Sequence, residues 1–209
     1  MMQYFGMVRC IDDNVARLLS TLDALKLTDR TAIVVTADHG DLCFEHGRLN
    51  KGNPYEGSAK IPMIIAMPGK LPAGRIVNEA LGTVDFMPTV LSLMDYPAPK
   101  GMEGRDASKL LKGEKVNWKD VTILRNAGAS ARWMAAVTDR YKLVISTNDE
   151  PWLFDLKNDP DELVNAFGNP ENHQITKFLA QELIAYGKAF HDPYLKEAAL
   201  TKQLDELIQ

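Results

Sequence analysis

Thr31 to Ala37 (TAIVVTA) is a run of β-branched and apolar residues with almost no polar alternation, and it restricts the possible folds more than any other segment. A strand with one wet face alternates, whereas a strand covered on both faces does not. Ile61 to Met67 (IPMIIAM) repeats the pattern. Pro62 is tolerated only near its start, because proline cannot donate to an interior ladder. Before the first run, Val8, Ile11, Val15, Leu18, Leu19, Leu22 and Leu25 recur at three- and four-residue spacing, which predicts an amphipathic helix over 7–27. After the second, Val84, Met87, Val90, Leu91 and Met94 restore helical spacing over 83–94, with Pro88 in the first turns. Helix, strand, loop, strand, helix is the rhythm of an α/β unit with a mostly parallel sheet and flanking helices.

Pro97 to Gly113 reads as a loop with a short helix at Ala107–Leu111, and Val121–Leu124 as a further strand. The composition then changes. Trp133–Thr138, Tyr141–Ser146 and Trp152–Leu156 read as three short strands, the first two joined as a hairpin at Asp139-Arg140. A helix is predicted over 173–190 and another in the tail, 195–209. The chain is therefore expected to divide into an α/β part, 1–125, and a small antiparallel sheet with a packed helix, 126–209. An apolar fraction of 45% over 209 residues supports one sizeable core with a satellite. A net charge of −4 leaves no basic stripe for nucleic acid. No apolar run approaches the roughly 20 residues of a membrane span. The first residues lack the charged-then-apolar pattern of a signal peptide, and the compartment stays open. Cys10 and Cys43 have neither metal-type spacing nor the look of a disulfide framework.

The chemistry lies where the first buried run ends, in Asp38-His39-Gly40-Asp41, followed by Glu45-His46-Gly47, Asn50-Lys51-Gly52 and Tyr55-Glu56. Carboxyl ends of strands are where α/β sheets place ligands. Asp38 and His39 are candidate metal ligands there: carboxylate suits Ca²⁺, Mg²⁺ or Mn²⁺, and imidazole shifts preference toward transition metals. The same pair also reads as a turn with a satisfied histidine. Lys51, in a glycine-bearing loop, is a candidate clamp on a tetrahedral oxyanion, or a solvated lysine. His46 either donates to a substrate or fixes the loop. Arg48 meets an anion or faces water, and Glu56 holds Lys51 or caps the loop. Asp12 and Asp13 read as solvated helix positions.

Taken in order, Ile11-Asp12-Asp13, Thr36-Ala37-Asp38-His39-Gly40-Asp41, Glu45-His46-Gly47, Lys51-Gly52, Pro54-Tyr55-Glu56, Val84-Asp85-Phe86-Met87-Pro88-Thr89, Met102-Glu103-Gly104-Arg105, Thr138-Asp139-Arg140-Tyr141-Lys142-Leu143 and Asp159-Pro160-Asp161-Glu162-Leu163-Val164-Asn165 resemble the sulfatase family of the alkaline-phosphatase-like superfamily. The resemblance covers about residues 5–190. It implies a sulfuric ester hydrolase fold and maps Asp38 and His39 onto metal ligands and Lys51 onto a sulfate-contacting lysine. His46 is carried as a second catalytic candidate. It further implies a divalent cation, usually Ca²⁺ with Mg²⁺ or Mn²⁺ possible, and a substrate that is a small sulfate ester or a sulfated sugar. The family's nucleophile is a formylglycine made in a Cys/Ser-x-Pro/Ala-x-Arg motif. Neither Cys10 nor Cys43 sits in one, so the chain matches the last half or less of such a protein and is expected to be inactive alone. Family members are often periplasmic or secreted. Two alternatives stand beside this reading: a non-catalytic relic or ligand-binding module, and a phosphonate or phosphodiester hydrolase of the same superfamily.

Overall fold

The computed structural model describes residues 2–126 and 132–209. Its first element, α1 (Met2–Ala24), ends in a Schellman-type turn: Lys26 is left-handed, and the Leu27 N–H reaches back to the Leu22 carbonyl. No residue of α1 is buried. Val15, Leu18, Leu19 and Leu22 line an open groove against Ile33–Val35.

The two apolar runs form β1 (Ile33–Thr36) and β2 (Met63–Ala66), separated by a long loop and the single-turn helix α2 (Glu56–Ala59). They pair antiparallel, Ile33 opposite Ala66 and Thr36 opposite Met63. The rhythm of the sequence predicts parallel neighbours, and the α/β class holds while the direction of this pair differs. A parallel pair needs a crossover that returns the chain to the same sheet end. Here the connection folds over the end of β1 instead, and enters β2 from the side on which it left.

Helices α3 (Phe86–Leu93) and α4 (Ser108–Lys112) follow. The segment is held by Asp85, which is buried and accepts from the Arg105 backbone N–H at 2.7 Å and from the Arg105 guanidinium at 3.2 Å. The same guanidinium donates to the Lys119 and Val121 carbonyls and lies over the Trp118 ring. A buried carboxylate is tolerable because the ion pair and the backbone donors replace its water.

The second sheet has the order β3 (Thr122–Arg125), β4 (Trp133–Val137), β5 (Tyr141–Ser146), β6 (Trp152–Asp155), antiparallel throughout. β3 lies just before the composition change at residue 126 yet bonds to β4; composition marks a shift in side-chain content, not where a strand pairs. One face, with Met134, Ala136, Leu143 and Ile145, packs on Leu179 and Leu183 of α5 (His173–Ala189) and on Leu200 and Leu204 of α6 (Ala198–Leu207). The other carries Trp133, Ala135, Val137 and Val144, with Leu124, Trp152 and Leu156 against them. Both faces are covered, which is why every residue of β4 is buried.

Candidate active site

β1 delivers Thr36 to its end, and the chain then turns through Asp38-His39-Gly40. The turn is tied down at Gly40, whose N–H donates to the Ser58 carbonyl at 2.9 Å. A Cβ on Gly40 would overlap the Gly57 carbonyl, so the close approach of α2 requires glycine. The Ser58 hydroxyl accepts from the Gly52 N–H at 3.0 Å. Buried Ser58 therefore holds both the Asp-His-Gly turn and the Lys51-Gly52 turn, although 12 residues separate His39 from Lys51.

At the surface of this junction three side chains meet. His39 Nδ1 lies 2.8 Å from the Gly40 carbonyl, which can only accept, so Nδ1 carries the proton, and Nε2, which faces the Lys51 ammonium, presents a lone pair. Asp38 Oδ2 lies 3.3 Å from that Nε2. Lys51 Nζ donates to Nε2 at 2.5 Å. The Asp38 side chain is 85% exposed and that of His39 39%, so the group opens outward. The Lys51 ammonium sits against Nε2 and Asp38 Oδ2 flanks the same nitrogen, so the two lone-pair donors face a point that favours positive charge.

The same two donors fit one edge of a divalent-cation shell. Oxygen and nitrogen ligands at metal distances, set at about a right angle, lie roughly 3.0–3.5 Å apart. The carbonyl bond at Nδ1 is the usual way a ligating histidine has its free nitrogen fixed. Among the described residues, no group of three or more carboxylates, imidazoles or thiols forms a complete cluster. The pair thus fits as two ligands of a larger set.

His46 is held differently. It sits in a tight turn over Glu45–Gly47, itself left-handed, with its ring stacked on Tyr55 at 3.7 Å and 12°. Tyr55 in turn stacks on Trp152 at 5.5 Å. Between the two ends of this loop, Cys43, Phe44, His46, Gly47, Asn50 and Gly52 all have positive φ. Non-glycine residues persist in that region only when their surroundings hold them there. Asp41 caps the loop by accepting from the Cys43 N–H at 3.0 Å. Desolvation and the nearby Asp41 carboxylate raise the Cys43 thiol above its ordinary value, which disfavours the thiolate.

Glu56 does not hold Lys51. Its carboxylate pairs with Lys142 of β5 at 2.7 Å. Lys142 is completely buried; its ammonium also donates to the Pro54 carbonyl at 2.8 Å and pairs with Glu162 at 2.6 Å. Glu162 accepts from the Glu56 N–H with its other oxygen. Burial pushes the Glu162 carboxyl up, against the pull of Lys142. Trp133 adds a second tie, donating from Nε1 to the Gly52 carbonyl at 3.1 Å. The sequence offers no local sign of this role for Lys142, since its hydrogen-bond acceptors lie 86 and 88 residues earlier in the chain.

The family described as N-sulphoglucosamine sulphohydrolase, C-terminal, matches residues 44–189. An arylsulfatase of Clostridium perfringens is 31% identical over 185 residues, covering 87% of this chain and 38% of its own length. The solved structure of BT4656 in complex with its substrate D-glucosamine-2-N,6-O-disulfate superposes with a TM-score of 0.78 at 30% identity, covering 88% of this chain and 40% of that one. The phosphonate monoester hydrolase SpPMH of Silicibacter pomeroyi gives 0.73 at 25% identity, over 88% and 40%. The chain spans about two fifths of the length of the relatives it matches. It belongs to the sulfatase family and corresponds to the C-terminal portion of that family's proteins.

Proposed function

We propose that this chain is the C-terminal part of a metal-dependent sulfuric ester hydrolase, to which it contributes Asp38 and His39 as two cation ligands and Lys51 as the group that binds the sulfate. The observation that carries this reading is the convergence of Asp38 Oδ2 and Lys51 Nζ on the exposed His39 Nε2. A divalent cation held there, Ca²⁺ in the first instance and Mg²⁺ or Mn²⁺ otherwise, would polarise an oxygen of the sulfuryl group. Lys51, on a solvated stem, exchanges imidazole for a sulfate oxygen and offsets the charge that builds up during transfer. Gly40 keeps the His39 tautomer fixed through its carbonyl. His46 orients the 43–50 loop from its place on Tyr55, so that its contribution is to shape rather than to proton transfer. The nucleophile, a formylglycine in this reading, belongs to a segment other than these 209 residues. The substrate class is a sulfate ester, with sulfated sugars first.

Turnover of 4-nitrophenyl sulfate with Ca²⁺ tests the reading. The 209-residue chain alone is expected to show none. A protein carrying this chain together with a formylglycine-bearing segment is expected to turn over, and Asp38→Ala to lower its rate on the order of 100-fold or more. Undiminished turnover in an Asp38→Ala, His39→Ala double variant would overturn the metal assignment. The likeness to SpPMH favours one second reading, phosphonate monoester hydrolysis. A higher kcat/KM on a phenylphosphonate monoester than on the sulfate would select it.

A further inference from the structure

We propose that Lys142 is a positioning residue of this site: its buried ammonium sets the course of residues 52–56 and so brings Lys51 to His39. Its ammonium donates to the Pro54 carbonyl and the Glu56 carboxylate, and its charge pairs with the Glu162 carboxylate at 2.6 Å. Two of those belong to the segment that leaves the Lys51-Gly52 turn. The third, Glu162, lies in a loop beyond β6 and grips the first N–H of α2. Lys142 lies on the sheet face of Trp133 and Val144, opposite Val137, and Trp133 ties the Gly52 carbonyl from that same face. The path is continuous: Lys142 holds Pro54 and Glu56, Glu56 opens α2, and Ser58 of α2 bonds to both Gly40 and Gly52. The small C-terminal sheet is in this account a part of the site's frame.

The inference rests on reading Asp38, His39 and Lys51 as one site, and the experiment reads their geometry rather than turnover, so the two fail separately. In the ¹⁵N-labelled chain, Lys51 Nζ and His39 Nε2 are expected to show a scalar coupling across their hydrogen bond, with the Gly52 amide protected from exchange. Its absence in the unsubstituted chain would overturn the site reading itself. Lys142→Met with Glu162→Leu removes both fully buried charges. The expected result is loss of the coupling and faster exchange at Gly52, by about tenfold or more, with the amides of β4 and β5 still protected. A folded double variant that keeps both the coupling and the Gly52 protection overturns the positioning role. Should that variant not fold, Glu56→Ala decides, since it leaves the Lys142–Glu162 pair in place. Loss of the coupling in Glu56→Ala with recovery in Glu56→Gln, which keeps an acceptor oxygen, supports the role, and retention in Glu56→Ala overturns it.

Discussion

His39 makes one bond that looks structural, Nδ1–H to the Gly40 carbonyl, and that bond decides what the rest of the ring can do. With the proton committed there and the Lys51 ammonium against it, Nε2 is an electron-pair donor beside a carboxylate, an arrangement that favours a cation. Lys51→Ala removes the one the chain itself supplies. In an active protein carrying the chain it is expected to cost on the order of 100-fold in kcat/KM on a sulfate ester, with the fold unchanged. A wild-type value would leave Lys51 a solvated loop lysine. Gly40→Ala attacks the frame instead. The added Cβ overlaps a backbone carbonyl, which cannot swing away, so about 1–3 kcal/mol of destabilisation is expected in urea unfolding. Asp38, His39 and Lys51 stood out in the sequence as candidates because each sits in a short motif close to a strong strand signal. Glu56 read as a holder of Lys51 or a cap of the loop, and its actual partner was hidden, because Lys142 reads as an ordinary outward residue in the alternation of Tyr141–Ser146. It is buried because the 52–56 segment covers that face of the sheet.

At the scale of elements, periodicity located most helices and strands but not what pairs with them or covers them: the runs of β1 and β2 read as strands covered on both faces, and none of their residues is buried. The β1–β2 direction depends on where the connection crosses, and β3 joins the second sheet through hydrogen bonds that no composition change announces. Two elements have properties open to direct test. Arg140 binds Asp155 through Nε and its terminal nitrogen, the latter at 2.8 Å, closing β5 onto β6. That bond, against the effect of burial and with help from the Asn158 N–H, holds the Asp155 carboxyl below its ordinary value. A depressed folded pKa gives stability that is full above the unfolded pKa, about 4, and is lost as pH falls through the folded value. Asp155→Asn is therefore expected to flatten the acid side of the Tm-against-pH curve below about pH 4, and an unchanged slope there would contradict the pairing. α1 is the opposite case. Its apolar stripe faces an open groove and none of its residues is buried. Hydrogen exchange should find α1 far less protected than α5, and deletion of residues 2–24 should change the unfolding free energy of the C-terminal sheet by less than about 1 kcal/mol. Equal protection of the two helices would contradict this.

Across the whole molecule the stability is uneven. The second sheet is buried on both faces, while β1 and β2 form a two-stranded ribbon that leaves Met63 and Ile64 exposed. A two-stranded ribbon is marginal in water, and the candidate site stands at its end. It is held less by its own ribbon than by α2, Ser58 and the ties from β4 and β5. A two-ligand edge on such a frame should bind a cation weakly, with Kd on the order of 1 mM, because tight Ca²⁺ sites use about 6–8 oxygens. The direct test is a Mn²⁺ titration of the ¹⁵N-labelled chain followed by NMR. Paramagnetic broadening is expected to centre on Asp38, His39, Gly40 and Lys51 and to be abolished in Asp38→Ala, His39→Ala. Broadening that survives the double substitution, or that never reaches these residues, would contradict the assignment of a cation to this site.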